Sequence, residues 1–311
     1  MVTSARTTWK TLRLGILGAS EGNGHPYSWS AIINGYDADI MEDCPFPSIP
    51  DYLGKQKYPD DFLQGARVTH IWCENRAEAE HISAASRIGH VVDNAEDLIG
   101  EVDAILLARD DAENHFRFAA PFLRAGLPIY IDKPLAVTIE DAERLFALDP
   151  TGGRIFSCSA LRYADELRVR SEELARIGNI LMIDAWAPKY WETYAVHVIE
   201  PLIAQFPTLD GIAAHEVHKE DGRTQLTVTW RSGVVTRFTT HGARPSPIGF
   251  KLKGGLAECE KTFSDSFGAF KKALEHFIGV ARDTEANIPR QQTRKIVELI
   301  AMAGLHKEFK K

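Results

Sequence analysis

The chain is short of cysteine, of long apolar runs and of surplus basic charge, and each shortage removes a class of function. Its four cysteines, Cys44, Cys73, Cys158 and Cys259, lie far apart with no Cys-x-x-Cys pair. That pattern argues against a zinc knuckle and a disulfide framework, and a reducing cytoplasm is the simplest home. No window approaches the roughly 18 consecutive apolar residues of a membrane-spanning helix. Arg6, Lys10 and Arg13 precede only the short run Leu14 to Ala19, which lacks a signal-peptide core and reads as a strand. With 43 acids against 36 Lys and Arg the net charge is −7. No electrostatic footprint for nucleic acid and no polybasic cluster for an anionic membrane follow from that balance.

What is present is an alternation. Short apolar runs at Leu12 to Leu17, Val68 to Cys73, Val102 to Ala108 and Pro128 to Ile131 are separated by helical stretches at Ser28 to Asn34, Ala77 to Arg87 and Ala112 to Ala125. Such spacing predicts an α/β fold, a parallel sheet with helices on both faces. Thr138-Ile139-Glu140-Asp141 opens a further helix, with a side-chain acceptor at the cap and an acid three residues on. We read residues 1–153 as a Rossmann dinucleotide-binding domain. Residues 35–66, rich in Pro and Asp, form an insertion of the length used for lids, binding loops or interfaces.

After Gly153 the pattern changes. Arg154 to Ser159 and Ile180 to Ala187 read as strands, Ala164 to Arg176 and Ala195 to Phe206 as helices, and Thr224 to Trp230 with Val234 to Thr240 as an antiparallel hairpin. Helices over Phe267 to Arg282 and Gln291 to Glu308 close the chain. Residues 154–311 are therefore expected to form a C-terminal α+β domain on a large, mostly antiparallel open sheet.

The turn after the first strand, Gly18-Ala19-Ser20-Glu21-Gly22-Asn23-Gly24-His25, departs from the dinucleotide fingerprint G-x-G-x-x-G. Gly18 holds the first position, Ser20 replaces the second glycine and Gly24 falls one residue late; its place between strand and helix makes it usable. Glu74 closes the second strand, where an acid grips the adenosine ribose and favours NAD. Arg76, two residues on, can pair with a 2′-phosphate, so NAD and NADP both stay open, with NAD slightly favoured. The fourth strand runs into Asp132-Lys133-Pro134, which places a lysine at the carboxyl end of a parallel strand, where such sheets hold ligands. His215 and His218 face opposite sides of a strand, and no metal site is expected.

LGILGAS, Val102 to Ala108 with His115, and Ala125-Gly126-Leu127-Pro128-Ile129-Tyr130-Ile131-Asp132-Lys133-Pro134-Leu135 together resemble the Gfo/Idh/MocA oxidoreductase family. The resemblance implies an NAD(P)-dependent dehydrogenase or reductase acting on CH–OH groups of a sugar, sugar derivative or cyclitol, as a homodimer or homotetramer through the C-terminal sheet. It places Lys133 between nicotinamide and substrate, commonly with a cis peptide into Pro134, and makes Gly18, Ser20, Gly24, His25, Glu74, Arg76, Ala108, His115, Asp132 and Lys133 the cofactor-binding set. It makes His197 the general acid/base, with Arg162, Trp191, Thr193 and Tyr194 near substrate. The family has an acid four residues before that histidine, whereas this chain has Thr193, and Glu200 on the same helical face is a candidate substitute. The missing acid leaves two alternatives: a lyase, epimerase or glycosidase working by transient oxidation, or a non-catalytic sensor of NAD(P) or sugar.

Overall fold

Two six-stranded sheets carry the chain in this computed structural model, which describes residues 10–304. The first contains β1 (Leu12–Leu17), β2 (Ala66–Trp72), β3 (His90–Val91), β4 (Ala104–Leu107), β5 (Ile129–Ile131) and β6 (Ile155–Phe156), in the order β3-β2-β1-β4-β5-β6, all parallel. This doubly wound order puts its crevice at the carboxyl ends of β1 and β4, where the winding reverses. β4 and β5 are buried at every position, which is why they read as unbroken apolar runs.

Helices α1 (His25–Asn34), α2 (Ala38–Met41), α3 (Ser48–Leu53), α4 (Arg76–Ala85), α5 (His115–Arg124) and α6 (Ile139–Ala147) belong to this half. Thr138 accepts from the Asp141 N–H at the start of α6, as the spacing predicts. α1 begins three residues before the expected Ser28, because Pro26 in its first turn lacks only an N–H that the helix leaves unpaired anyway.

The second sheet contains β7 (Ile180–Ala187), β8 (Ile212–Glu220), β9 (Arg223–Trp230), β10 (Val235–Thr240), β11 (Gly249–Gly254) and β12 (Glu258–Thr262), in the order β12-β11-β7-β10-β9-β8. Only β7 and β10 pair parallel, so the sheet is mixed but mostly antiparallel. Helices α7 (Ser171–Ile177), α8 (Trp191–Tyr194), α9 (Val196–Gln205), α10 (Ser266–Ala281) and α11 (Arg290–Ala303) complete it.

Several expectations change here. The strand expected over Arg154 to Ser159 is only the two residues of β6, which pair with β5; the first sheet thus runs past the division expected after Gly153. The helix expected over Ala164 to Arg176 is a 3-10 turn, Asp165–Leu167, followed by α7. α11 ends at Ala303, and the rest of the helix expected to Glu308 includes positions outside the described residues. The insertion is not an open loop. It folds into α2 and α3, buries Ile49, Leu53 and Phe62, and sets Phe62 edge-on to Phe267 of α10 at 5.4 Å. Lys271 Nζ donates to the Asp61 carbonyl at 2.6 Å. The insertion therefore ties the two halves together, and one apolar cluster runs through both. Among the described residues no helix is long and apolar enough to cross a membrane.

Candidate active site

Where the two halves meet, a cleft of about 490 Å³ opens beside the glycine turn. Its first wall comes from the ends of parallel strands. β5 delivers Asp132 and Lys133, both buried, and the peptide into Pro134 is cis. Asp132 accepts from Lys133 N at 2.7 Å through Oδ1, and from Asn23 Nδ2 at 2.9 Å and His25 Nδ1 at 2.5 Å through Oδ2. Burial works against its charge, but the His25 ring and the Lys133 ammonium outweigh burial and hold its carboxyl at about 2. Lys133 Nζ donates to Asp110 Oδ2 at 3.2 Å, and Asp110 Oδ1 accepts from Ser20 Oγ at 2.8 Å. Burial alone lowers the lysine's pKa, yet Asp132 and Asp110 raise it above the ordinary value. The charged ammonium is therefore favoured. His25 is stacked on Trp29 at 5.0 Å and edge-on to Phe270 at 5.1 Å.

The second wall is built by α8 and α9. Thr193, Tyr194 and His197 line the cleft from this side, with Lys189 Nζ lying 4.5 Å from the centre of the Tyr194 ring. His197 Nδ1 is 2.8 Å from Ser159 Oγ, whose backbone N–H donates to Glu200 Oε2 at 2.8 Å. Glu200 thus reaches His197 only through Ser159, and its other oxygen takes Arg162 at 3.3 Å. Burial, then the Lys133 and His25 charges, push His197 well below the ordinary histidine range. Burial also raises Glu200 to about 7, against the pull of Arg162.

The residues present fit a dinucleotide. A Cβ on Gly18 would meet the Pro26 ring at 2.6 Å, so glycine there lets α1 approach β1; Gly22 has φ 78 and open space around it. Glu74 closes β2 with its carboxylate half exposed and salt-bridged to Arg109 at 3.1 Å. One feature thins the phosphate cradle. The His25 N–H is capped by Asn23 Oδ1 at 2.8 Å and Pro26 has none, so the first turn offers fewer free amides.

Gly24, His25, Lys133, Thr193, Tyr194 and His197 all line the cleft, and Asp132 lies behind His25 and Lys133. Arg162 and Trp191 do not line it: Arg162 is held by Glu200 and Gln292, and Trp191 is core, its indole N–H donating to the Ile300 carbonyl at 2.8 Å. Arg76 pairs with Glu80 and Asp93. His115 is buried, its ring nitrogens 3.0 and 2.7 Å from the carbonyls of Leu135 and Arg109, and it braces the loop after β4 against the turn after β5. Ala108 ends the β4 pairing, its N–H on the Leu17 carbonyl at 2.8 Å. Sequence reasoning missed Arg109, Asp110, Asn23 and Ser159, and it missed the insertion's Phe46, Ile49 and Tyr52 as cleft lining. Arg109-Asp110-Asp111 was the available signal, three charges directly after an apolar strand.

Comparison with known proteins agrees with this fold. A family described as "Oxidoreductase family, NAD-binding Rossmann fold" (GFO_IDH_MocA) matches residues 53–159. Inositol 2-dehydrogenase 2 of Saccharopolyspora erythraea is 32% identical over 127 residues, 39% of this chain and 37% of that protein. The matching stretch thus spans little more than a third of that relative. Over nearly the full length, myo-inositol dehydrogenase from Lactobacillus casei, solved with NAD(H) and myo-inositol, superposes with a TM-score of 0.68 at 16% identity, covering 94% of this chain and 93% of that one. UDP-N-acetylglucosamine 3-dehydrogenase GnnA from Acidithiobacillus ferrooxidans does as well, with a TM-score of 0.68 at 13% identity and coverage of 94% and 95%. One fold thus carries different substrates.

Proposed function

We propose that this chain is a Gfo/Idh/MocA protein and an NAD(P)-dependent dehydrogenase or reductase acting on a CH–OH group of a sugar or cyclitol, a reading supported by the family match over residues 53–159 and by the fold. The observation that carries this reading is Lys133: a buried lysine whose ammonium pairs with Asp110, with the Asp132 carboxylate close by, at the carboxyl end of β5, facing a cleft whose rim is the glycine turn. The nicotinamide, when bound, supplies the acceptor or donor of the hydride. Lys133 holds the reacting oxygen and favours its charged form, since a fixed ammonium in a water-poor site needs little reorganisation. His197 faces the same space as a neutral hydrogen-bonding group that orients the substrate, a narrower role than general acid/base.

Glu74 supports NAD over NADP. Its carboxylate repels a 2′-phosphate, and Arg76, the cation that would welcome one, is engaged by Glu80 and Asp93. The relatives' inositol substrates support a cyclitol, and a cleft lined by Lys133, Thr193, Tyr194 and His197 offers hydroxyl-binding groups. Assembly through the open sheet is part of the same reading, supported by exposed Leu181 on β7 and Val217 on β8. The test is a thermal-shift screen of NADH and NADPH, each with cyclitols, sugars and nucleotide sugars. A larger rise with NADH, and a further rise with one polyol, is expected; no rise with either cofactor contradicts the reading.

A further inference from the structure

The cleft holds two histidines, and their partners give them opposite hydrogen-bonding faces. Asp132 accepts on both oxygens, so the bond at 2.5 Å must carry its proton on His25 Nδ1. In the neutral ring Nε2 is then a bare acceptor. Among the described residues no protein atom takes that nitrogen, and His25 lines the cleft with its side chain 17% exposed. Trp29 beneath and Phe270 at the edge fix the ring plane. Across the cleft, His197 bonds the Ser159 hydroxyl and, among the described residues, no carboxylate.

We infer that His25, not His197, is the group that takes the substrate's proton, with Asp132 as its positioning residue. A carboxylate behind Nδ1 orients the imidazole, fixes its tautomer and stabilises the imidazolium that forms. The acid missing at Thr193 is thereby supplied from β5 to a different histidine. In the oxidative direction the hydroxyl proton passes to His25 Nε2. The hydrogen on the same carbon leaves with its electron pair to NAD(P)⁺, which is reduced as the alcohol becomes a carbonyl, and His25 then releases its proton to solvent. The charged or titratable groups around His25 are Asp132 and Lys133 after β5, Asp110 after β4, Glu21 in the glycine turn, Tyr52 on α3, Lys189 after β7, Tyr194 on α8 and His197 on α9; α10 contributes the non-titrating Ser266, Ala269 and Phe270.

The inference rests on the proposed dehydrogenase reading, and the experiment separates the two. In ¹⁵N-histidine-labelled apoprotein, NMR should show His25 protonated on Nδ1 and bare on Nε2, a state lost in Asp132→Asn. A His25 ring protonated on Nε2 overturns the inference whatever the substrate. With NAD⁺ and myo-inositol, His25→Asn should lower kcat at least 100-fold, while NADH binding stays within threefold. His197→Asn should chiefly raise KM and keep kcat within a few-fold. The reverse ranking overturns the inference, and so does a His25→Asn variant whose main defect is NADH binding. A wild type inert toward myo-inositol counts against the proposed substrate, and His25 is then judged by its tautomer.

Discussion

The two walls of the cleft each present a histidine, a hydroxyl or amide, and a buried carboxylate, yet they treat charge in opposite ways. On the strand wall, Asp132 accepts from its histidine directly and from the Lys133 backbone N–H, and its carboxyl is held far below neutrality. On the helix wall, Glu200 stands one residue behind its histidine and is pushed up to about 7. A carboxylate that accepts from three donors beside a lysine ammonium keeps its charge, whereas one buried behind a serine and a single arginine does not. Proton transfer belongs to the first wall and orientation to the second.

The largest break in this contrast should come from Asp132→Asn, which leaves a buried lysine and histidine short of a counter-charge. We expect a loss of about 3–5 kcal/mol at pH 7 in urea denaturation. The pH dependence follows from the sign of the shift. Asp132 sits below its ordinary 3.8, so it contributes stability above that pH, about 2 kcal/mol, which disappears as pH falls through about 2 and which the variant lacks. Glu200 acts the other way. Its folded value lies above its ordinary 4.5, so stability falls as pH rises from 4.5 through about 7, by about 3 kcal/mol, and Glu200→Gln should flatten that slope. A wild type and variant with parallel stability curves over that range would remove the contrast between the walls.

Smaller changes sharpen it. Gly24→Ala places a Cβ within 2.6 Å of Ile49 and 2.7 Å of Phe46, so it should cost about 2 kcal/mol and loosen the insertion from the cleft. Thermal melting and proteolysis between α2 and β2 would report both effects. Thr193→Asp restores a carboxylate one turn before His197. It should raise that ring's titration midpoint by about one unit, read by NMR, and make the second wall more like the first.

Much of the first half was legible because its signals are local. β4 and β5 are apolar runs buried on both faces, and the Thr138 cap is read from four residues. β8, β11 and β12 gave no such signal. β8 is exposed along almost its whole length and so shows no alternation, and Glu258-Cys259-Glu260-Lys261-Thr262 is mostly polar. The site was half legible for the same reason. Lys133 and His197 stand in recognisable runs, but His25 and Asp132 are 107 residues apart, and Ser20 and Asp110 are 90 apart. Their pairing depends on the sheet order, which no local spacing records.

The most direct measurement is the rate of absorbance change at 340 nm with NAD⁺ and the polyol selected by thermal shift, for wild type and Lys133→Met, alongside NADH affinity. NADH binding is expected to change by no more than a few-fold while turnover falls by about 100-fold or more. Unchanged turnover in Lys133→Met would contradict that expectation.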